Sequence, residues 1–198
     1  MKILLLSGFL GSGKTSALLQ LAKHIADNTP GEGTKVMIIE NEIGEVGVDD
    51  KVLRAQGLAV KDLFAGCACC SVSGELVTAA SRIQKEYDPE WLIVETTGLA
   101  YPIRIQENLR YALDMEARIG VLVDASRWRR LRIPMENLLM GQIQGSDAVL
   151  VNKIDLVDEA AIQAVDKDVL SFEPKANIYH ISGLRPVTED VWKGVLGI

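Results

Sequence analysis

Gly8-Phe9-Leu10-Gly11-Ser12-Gly13-Lys14-Thr15 decides how this chain folds, because it fits G-x-x-x-x-G-K-[ST] and stands between an apolar run and a helical pattern. Upstream, Ile3 to Leu6 reads as a short strand. Downstream, Leu18, Leu19, Leu21, Ala22 and Ile25 recur at helical spacing. Strand, glycine-rich turn and helix form the context in which this pattern holds a phosphate. Gly8, Gly11 and Gly13 let the backbone approach the anion and turn successive N–H groups toward it, where a Cβ would crowd the ligand. The helix start adds its positive dipole end. Lys14 is then the point charge for the β- and γ-phosphates and the Thr15 hydroxyl a Mg²⁺ ligand, with Ser12 and Ser16 completing the phosphate-binding set.

The length of the chain, 198 residues, is consistent with one domain built on that turn. Twenty-one Lys and Arg against 27 Asp and Glu give a formal charge of −6, which argues against a sequence-independent hold on nucleic acid. Met1 to Ser7 has too short an apolar run for a signal peptide and leads directly into the glycine-rich turn. No stretch approaches the roughly 18 apolar residues needed to span a bilayer. All three cysteines fall within Cys67 to Cys70, which excludes a disulfide framework and favours a reducing compartment, the cytoplasm by default.

Further along, Lys35 to Glu40 is an apolar run of strand length after a breaker-rich turn. The acidic, glycine-punctuated loop from Asn41 to Asp50 leaves its carboxyl end, where open α/β sheets place their ligands. Leu58 to Phe64 reads as a strand, Leu76 to Tyr87 as a helix and Trp91 to Val94 as a buried strand. That last strand runs into Glu95-Thr96-Thr97-Gly98. A strand ending in a carboxylate and followed by x-x-Gly suits the metal's water shell and a γ-phosphate sensor, which assigns Glu95 to Mg²⁺ and Gly98 to the phosphate. A helix follows Pro102, and Ile119 to Asp124 is a strand with Asp124 or Ser126 able to cap the next helix. Arg127, Arg129, Arg130 and Arg132 around Trp128 read as a solvated basic face, the sharper alternative being a docking patch or an arginine supplied to phosphate. Met135 and Met140 flank an amphipathic stretch and suit packing. Ala148 to Val151, a helix over 158–166, Ile178 to Ile181 and a last short helix complete the pattern. Alternation of this kind predicts an α/β fold of the P-loop type, with a mostly parallel sheet covered by helices on both faces.

Asn152-Lys153-Ile154-Asp155 at the end of a late strand reads as a guanine selector. One carboxylate, Asp155, can accept from both the ring N–H and the exocyclic amine that guanine presents side by side, and adenine lacks that pair. Asn152 would hold the loop and the base edge, the Lys153 stem would cover the ring face, and Ser182-Gly183 would offer backbone N–H to the guanine oxygen. Cys67-Ala68-Cys69-Cys70 presents three thiols in four residues, a density that suits Zn²⁺, Co²⁺, Ni²⁺ or Cu⁺ over Mg²⁺ or Ca²⁺. A fourth ligand would come from a carboxylate, His180 or His24, a partner residue or water. Inert buried cysteines and a redox dithiol are the alternatives.

Taken together, the glycine-rich turn, Asn41-Glu42-Ile43-Gly44-Glu45-Val46-Gly47-Val48-Asp49, Gly66-Cys67-Ala68-Cys69-Cys70, Glu95-Thr96-Thr97-Gly98-Leu99-Ala100 and Asn152-Lys153-Ile154-Asp155 resemble the CobW family of metallochaperone GTPases. Relatives of that family include the urease and hydrogenase accessory GTPases. The resemblance runs in order from Ser7 to about Ser182. It implies GTP binding and hydrolysis with Mg²⁺, a transition metal (Zn²⁺ or Co²⁺ foremost) at Cys67, Cys69 and Cys70, and Glu42 and Glu45 in the switch region beside the nucleotide and that metal. It also implies a client in a metalloprotein or metal-cofactor pathway, cobalamin or corrinoid chemistry included, and is compatible with a homodimer. A GTP-dependent activator or binding switch for a corrinoid or other metalloprotein, its cysteines redox-active or structural, is the other reading. Larger family members carry a carboxy-terminal domain and often a histidine-rich tract, whereas this sequence ends at Ile198 with two histidines, so the expectation is a single GTPase domain over 1–198.

Overall fold

A computed structural model describes residues 1–30, 34–40, 59–62 and 72–198. Glu42, Glu45, Cys67, Cys69 and Cys70 lie outside the described residues. Among the described residues seven strands form one sheet: β1 (Lys2–Gly8), β2 (Val36–Glu40), β3 (Ala59–Asp62), β4 (Trp91–Glu95), β5 (Ala117–Asp124), β6 (Ala148–Asn152) and β7 (Asn177–His180). Their spatial order is β3-β2-β4-β1-β5-β6-β7, and every pair is parallel. A parallel sheet must be covered on both faces, which is why its central strands read as unbroken apolar runs. β1 divides its residues accordingly. Ile3 and Leu5 enter one hydrophobic core and Leu4 and Leu6 the other.

The second of these cores is closed by α1 (Lys14–Asn28) through Leu18, Leu21 and Ile25, and by α7 (Glu189–Leu196) through Trp192 and Val195. The first is closed by α2 (Val72–Glu86), α3 (Pro102–Leu113), α4 (Ala125–Leu131), α5 (Glu136–Ile143) and α6 (Glu159–Phe172). Several elements depart from the sequence reading: α5 is not among the expected helices, α2 begins at Val72 instead of Leu76, β5 begins at Ala117 instead of Ile119, and two others differ at one end for a local physical reason. The helix expected over 158–166 continues to Phe172, because Val165 and Val169, one turn apart, are both buried and carry it past the charged Asp166-Lys167-Asp168 run. The last strand is Asn177–His180, shifted one residue earlier than expected, since Ile181 hydrogen-bonds back to Val151 beyond the regular ladder. None of the helices among the described residues is long and apolar enough to cross a membrane.

In a sheet whose strands all run the same way, every carboxyl end opens onto one edge. The chain reverses its order of placement at β1: β4 and β2 lie to one side of it and β5, β6 and β7 to the other. The crevice at such a switch point is where open α/β sheets bind ligands. The glycine-rich turn leaves β1 at that place.

Candidate functional site

Residues 8–13 join β1 to α1 and carry the backbone geometry that the pattern demands. Gly8 has φ +141°, and a Cβ there would meet the Leu122 carbonyl oxygen at 2.2 Å, a backbone obstacle that cannot swing aside. Gly13 caps α1 in the left-handed region, φ +99°, and a Cβ there would meet the Asn152 amide nitrogen at 2.4 Å. These are positions only glycine can fill. Lys14 opens the helix almost fully buried, its ammonium donating to the Gly8 carbonyl at 3.1 Å, so the charge is held inside the turn. Ser12 is buried as well, and Ser16 is exposed on the first turn of α1.

Facing the start of α1, Glu95 ends β4 and is buried. Its Oε1 accepts a hydrogen bond from Thr15 Oγ1 at 3.2 Å. Two hard oxygens meeting beside the phosphate-binding turn fit the ligand preference of Mg²⁺. Gly98 packs against the turn so closely that a Cβ would lie 2.9 Å from the Leu10 nitrogen. The expected x-x-Gly sensor is therefore in contact with the turn it would report on. Its carbonyl accepts from the buried Gln142 amide at 3.0 Å, a partner that sequence reading missed because α5 carries no capping signal.

On the other side of β1, β6 delivers Asn152, which ties three loops together. Its Nδ2 donates to the Ser12 carbonyl at 2.8 Å, while its Oδ1 accepts from Lys153 N–H at 2.8 Å and Gly183 N–H at 2.9 Å. Asn152 thus holds the glycine-rich turn through the Ser12 carbonyl. The Gly183 N–H, expected at the guanine oxygen, is committed to Asn152, and Ser182 is buried beside it. Lys153 adopts φ +64°, uncommon for a residue with a side chain, and its ammonium reaches the Gly11 carbonyl at 2.8 Å. Asp155 lies in a short 3₁₀ turn, Ile154–Leu156, directly after the carboxyl end of β6, and is exposed.

A residue not assigned to the site by sequence also belongs here. Asp124, at the end of β5, stands level with Asn152 in the ladder. It caps α4 as foreseen, accepting from Ser126 N–H at 3.0 Å, and also accepts from Lys153 Nζ at 2.7 Å and Arg127 Nε at 2.6 Å. Burial pushes the Asp124 carboxyl up, but hydrogen bonds from Lys153, Ser126 and Arg127 outweigh it and hold the group below the usual carboxylate range. A depressed acid stabilises the fold above its unfolded pKa and loses that contribution as pH falls through its folded pKa. Asp124→Asn should therefore cost about 2 kcal/mol near neutrality, and the deficit should shrink toward pH 3, as read by chemical denaturation at both pH values.

The basic segment divides in two. Arg129 and Arg130 are exposed, as a solvated face requires, whereas Arg132 pairs with Glu136 at 2.8 Å and Asp168 at 3.2 Å. Of the candidate extra metal ligands, His180 Nε2 pairs with Asp166 at 2.9 Å and His24 Nδ1 meets Asn28 at 3.1 Å.

A glycine cradle at the switch point, a buried lysine, an oxygen pair and a base-side loop tied back to the cradle define a P-loop nucleotide-binding protein. The family model described as CobW/HypB/UreG, nucleotide-binding domain, matches residues 2–180, and the chain belongs to that family. The zinc chaperone YjiA of Escherichia coli is 31% identical over 193 residues, covering 91% of this chain and 57% of that protein. Zinc-regulated GTPase metalloprotein activator 1 of Dictyostelium discoideum is 26% identical over 215 residues, covering 87% of this chain and 44% of its own length. The crystal structure of Zn(II)-bound YjiA GTPase from E. coli superposes with a TM-score of 0.68 at 22% identity, covering 100% of this chain and 62% of that one, a likeness of fold. The chain spans about half the length of these curated relatives.

Proposed function

We propose that this domain binds and hydrolyses GTP with Mg²⁺ and couples its nucleotide state to a transition metal held by Cys67, Cys69 and Cys70, in the service of a metalloprotein or metal-cofactor client. The observation that carries the coupling is the register of the strand ends. Leu6 stands level with Glu95, Glu95 with Glu40, and Glu40 with Asp62. At about 4.8 Å per strand, the end of β3 lies roughly 10 Å from Glu95. The five residues from Asp62 to Cys67 can span up to about 17 Å. In sequence, Glu42 and Glu45 follow the end of β2, and the cysteine motif follows the end of β3, so the reading rests on where those two strands end and not on the position of the motif itself, which lies outside the described residues. Relatives named as zinc chaperones favour Zn²⁺ as the cargo, with Co²⁺ next by the chemistry of the thiols.

Within this reading the chain's own groups have distinct tasks. The turn's N–H groups and Lys14 bind and orient the phosphates, Thr15 and Glu95 hold Mg²⁺ and its water shell, and Gly98 senses the γ-phosphate. Bound Mg²⁺ supplies neutralisation of charge developing on the phosphates. Asp155 selects the base, and Asn152 links that selection to the turn through the Ser12 carbonyl.

GTP should bind far better than ATP, and Asp155→Asn should shift preference toward xanthine nucleotides by exchanging an acceptor for a donor. Calorimetric titration of wild type with both nucleotides tests the reading; equal affinities would sink it. Turnover by the isolated domain should be slow, well under one per second, because Leu99 follows Gly98 where Ras-like GTPases place the glutamine that orients water. Phosphate release at tens per second without partner or metal would contradict that.

A further inference from the structure

Three successive carbonyls of the phosphate-binding turn are each held by a side chain from later in the sequence. Ser12 is held by Asn152, Gly11 by Lys153, and Leu10 by the Arg127 guanidinium through its Nη2. The first two holders belong to the Asn-Lys-x-Asp motif. Arg127 belongs to none, and its segment read most simply as a solvated face. Its position is nevertheless constructed: Nε is fixed at 2.6 Å by the buried Asp124, and the guanidinium packs against Gly11, where a Cβ would lie 3.0 Å from Nη2. Asp124 also binds the Lys153 ammonium, so one carboxylate anchors two cations that grip adjacent carbonyls.

We propose that Arg127 is a positioning residue for the terminal phosphate of the nucleotide. In a trans peptide the C=O and N–H point in opposite directions, and there is no cis peptide among the described residues. Drawing the Leu10 carbonyl toward Arg127 therefore turns the Gly11 N–H the other way, toward the phosphate side of the turn. That N–H donates to no backbone acceptor among the described residues. The same arrangement at Ser12 presents the Gly13 N–H. The two peptides face different parts of the ligand. The Ser12–Gly13 peptide lies at the start of α1 beside Asn152, whereas Leu10 abuts Gly98, so with Gly98 as the γ-phosphate sensor proposed above the Leu10–Gly11 peptide belongs at the γ-phosphate end. Releasing Leu10 should thus weaken a triphosphate more than a diphosphate.

The inference rests on the domain binding guanine nucleotides. Its test is the ratio of affinities for GDP and a non-hydrolysable GTP analogue, both with Mg²⁺, in wild type, Arg127→Ala and Arg127→Lys, alongside thermal unfolding of each. Alanine removes both contacts. A lysine ammonium keeps the ion pair with Asp124 but has no second arm for Leu10. Both variants should bind the triphosphate analogue about tenfold more weakly, the size of one charge-assisted hydrogen bond, while GDP affinity falls less than about threefold. Arg127→Lys should keep the wild-type unfolding midpoint, so it decides the matter even where alanine disturbs the fold. Parallel losses for both nucleotides, no loss for either, or a wild-type ratio in the lysine variant would overturn the proposal. A wild type that binds no guanine nucleotide would sink the functional reading along with it.

Discussion

Asn152→Ala should lower both stability and nucleotide affinity, because this one amide closes the connection between the phosphate-binding turn, the base-side loop and the Ser182-Gly183 loop. Removing it orphans the Ser12 carbonyl and the Lys153 and Gly183 N–H groups. A buried polar group left without a partner costs about 1–3 kcal/mol. The N–H groups of the half-buried Lys153 and Gly183 can recover part of theirs from water. The net loss should be about 2–4 kcal/mol, and for a chain of this size the unfolding midpoint should fall by roughly 4–16 °C. Affinity for GTP should drop about 10- to 100-fold, since the Ser12 carbonyl is then free to rotate and the Gly13 N–H with it. Thermal unfolding and calorimetry on the same preparation check both. A variant within twofold of wild-type affinity would mean that the turn is preset without the amide.

Lys14→Ala should separate ligand from fold. Lys14 is a nearly buried cation inside the turn that would meet the phosphates. Truncating one partner of a buried, hydrogen-bonded charge pair costs about 2–5 kcal/mol in binding, which corresponds to roughly 30- to 4000-fold in affinity. GTP turnover should disappear at accessible nucleotide concentrations. The variant should still show a cooperative unfolding transition, because the apolar contacts of α1 run through Leu18, Leu21 and Ile25 on the next turns. Wild-type affinity in a folded Lys14→Ala protein would remove the lysine from the phosphate site.

Much of this was legible in the sequence because the decisive signals are local. Gly8 to Thr15, Glu95 to Gly98 and Asn152 to Asp155 each pair a strand end with a short motif, and a parallel sheet necessarily brings strand ends to one edge. What was not legible depends on strand order and long-range pairing. Asp124 could be recognised as a helix cap from its neighbours, yet its bonds to Lys153 arise only because β5 and β6 lie side by side with Asp124 level with Asn152. Arg127 looked like one of four solvated arginines until the turn after β1 was placed beside α4. Helix α5 escaped notice because its N-cap, Met135, makes no side-chain bond and Gly141 interrupts its pattern. With it went Gln142, whose partner is 44 residues away.

The central claim is that nucleotide and transition metal are energetically linked, and linkage must be reciprocal: if GTP changes metal affinity by a factor, metal changes GTP affinity by the same factor. The direct measurement is titration of Zn²⁺, and of Co²⁺, into the protein with and without a non-hydrolysable GTP analogue and Mg²⁺, repeated with Cys69→Ser/Cys70→Ser. The account predicts that the analogue shifts metal affinity by about 5- to 150-fold, that binding releases protons as thiols become thiolates, and that the double variant loses the site. Identical metal affinity in both nucleotide states, or full affinity in the double variant, would contradict it.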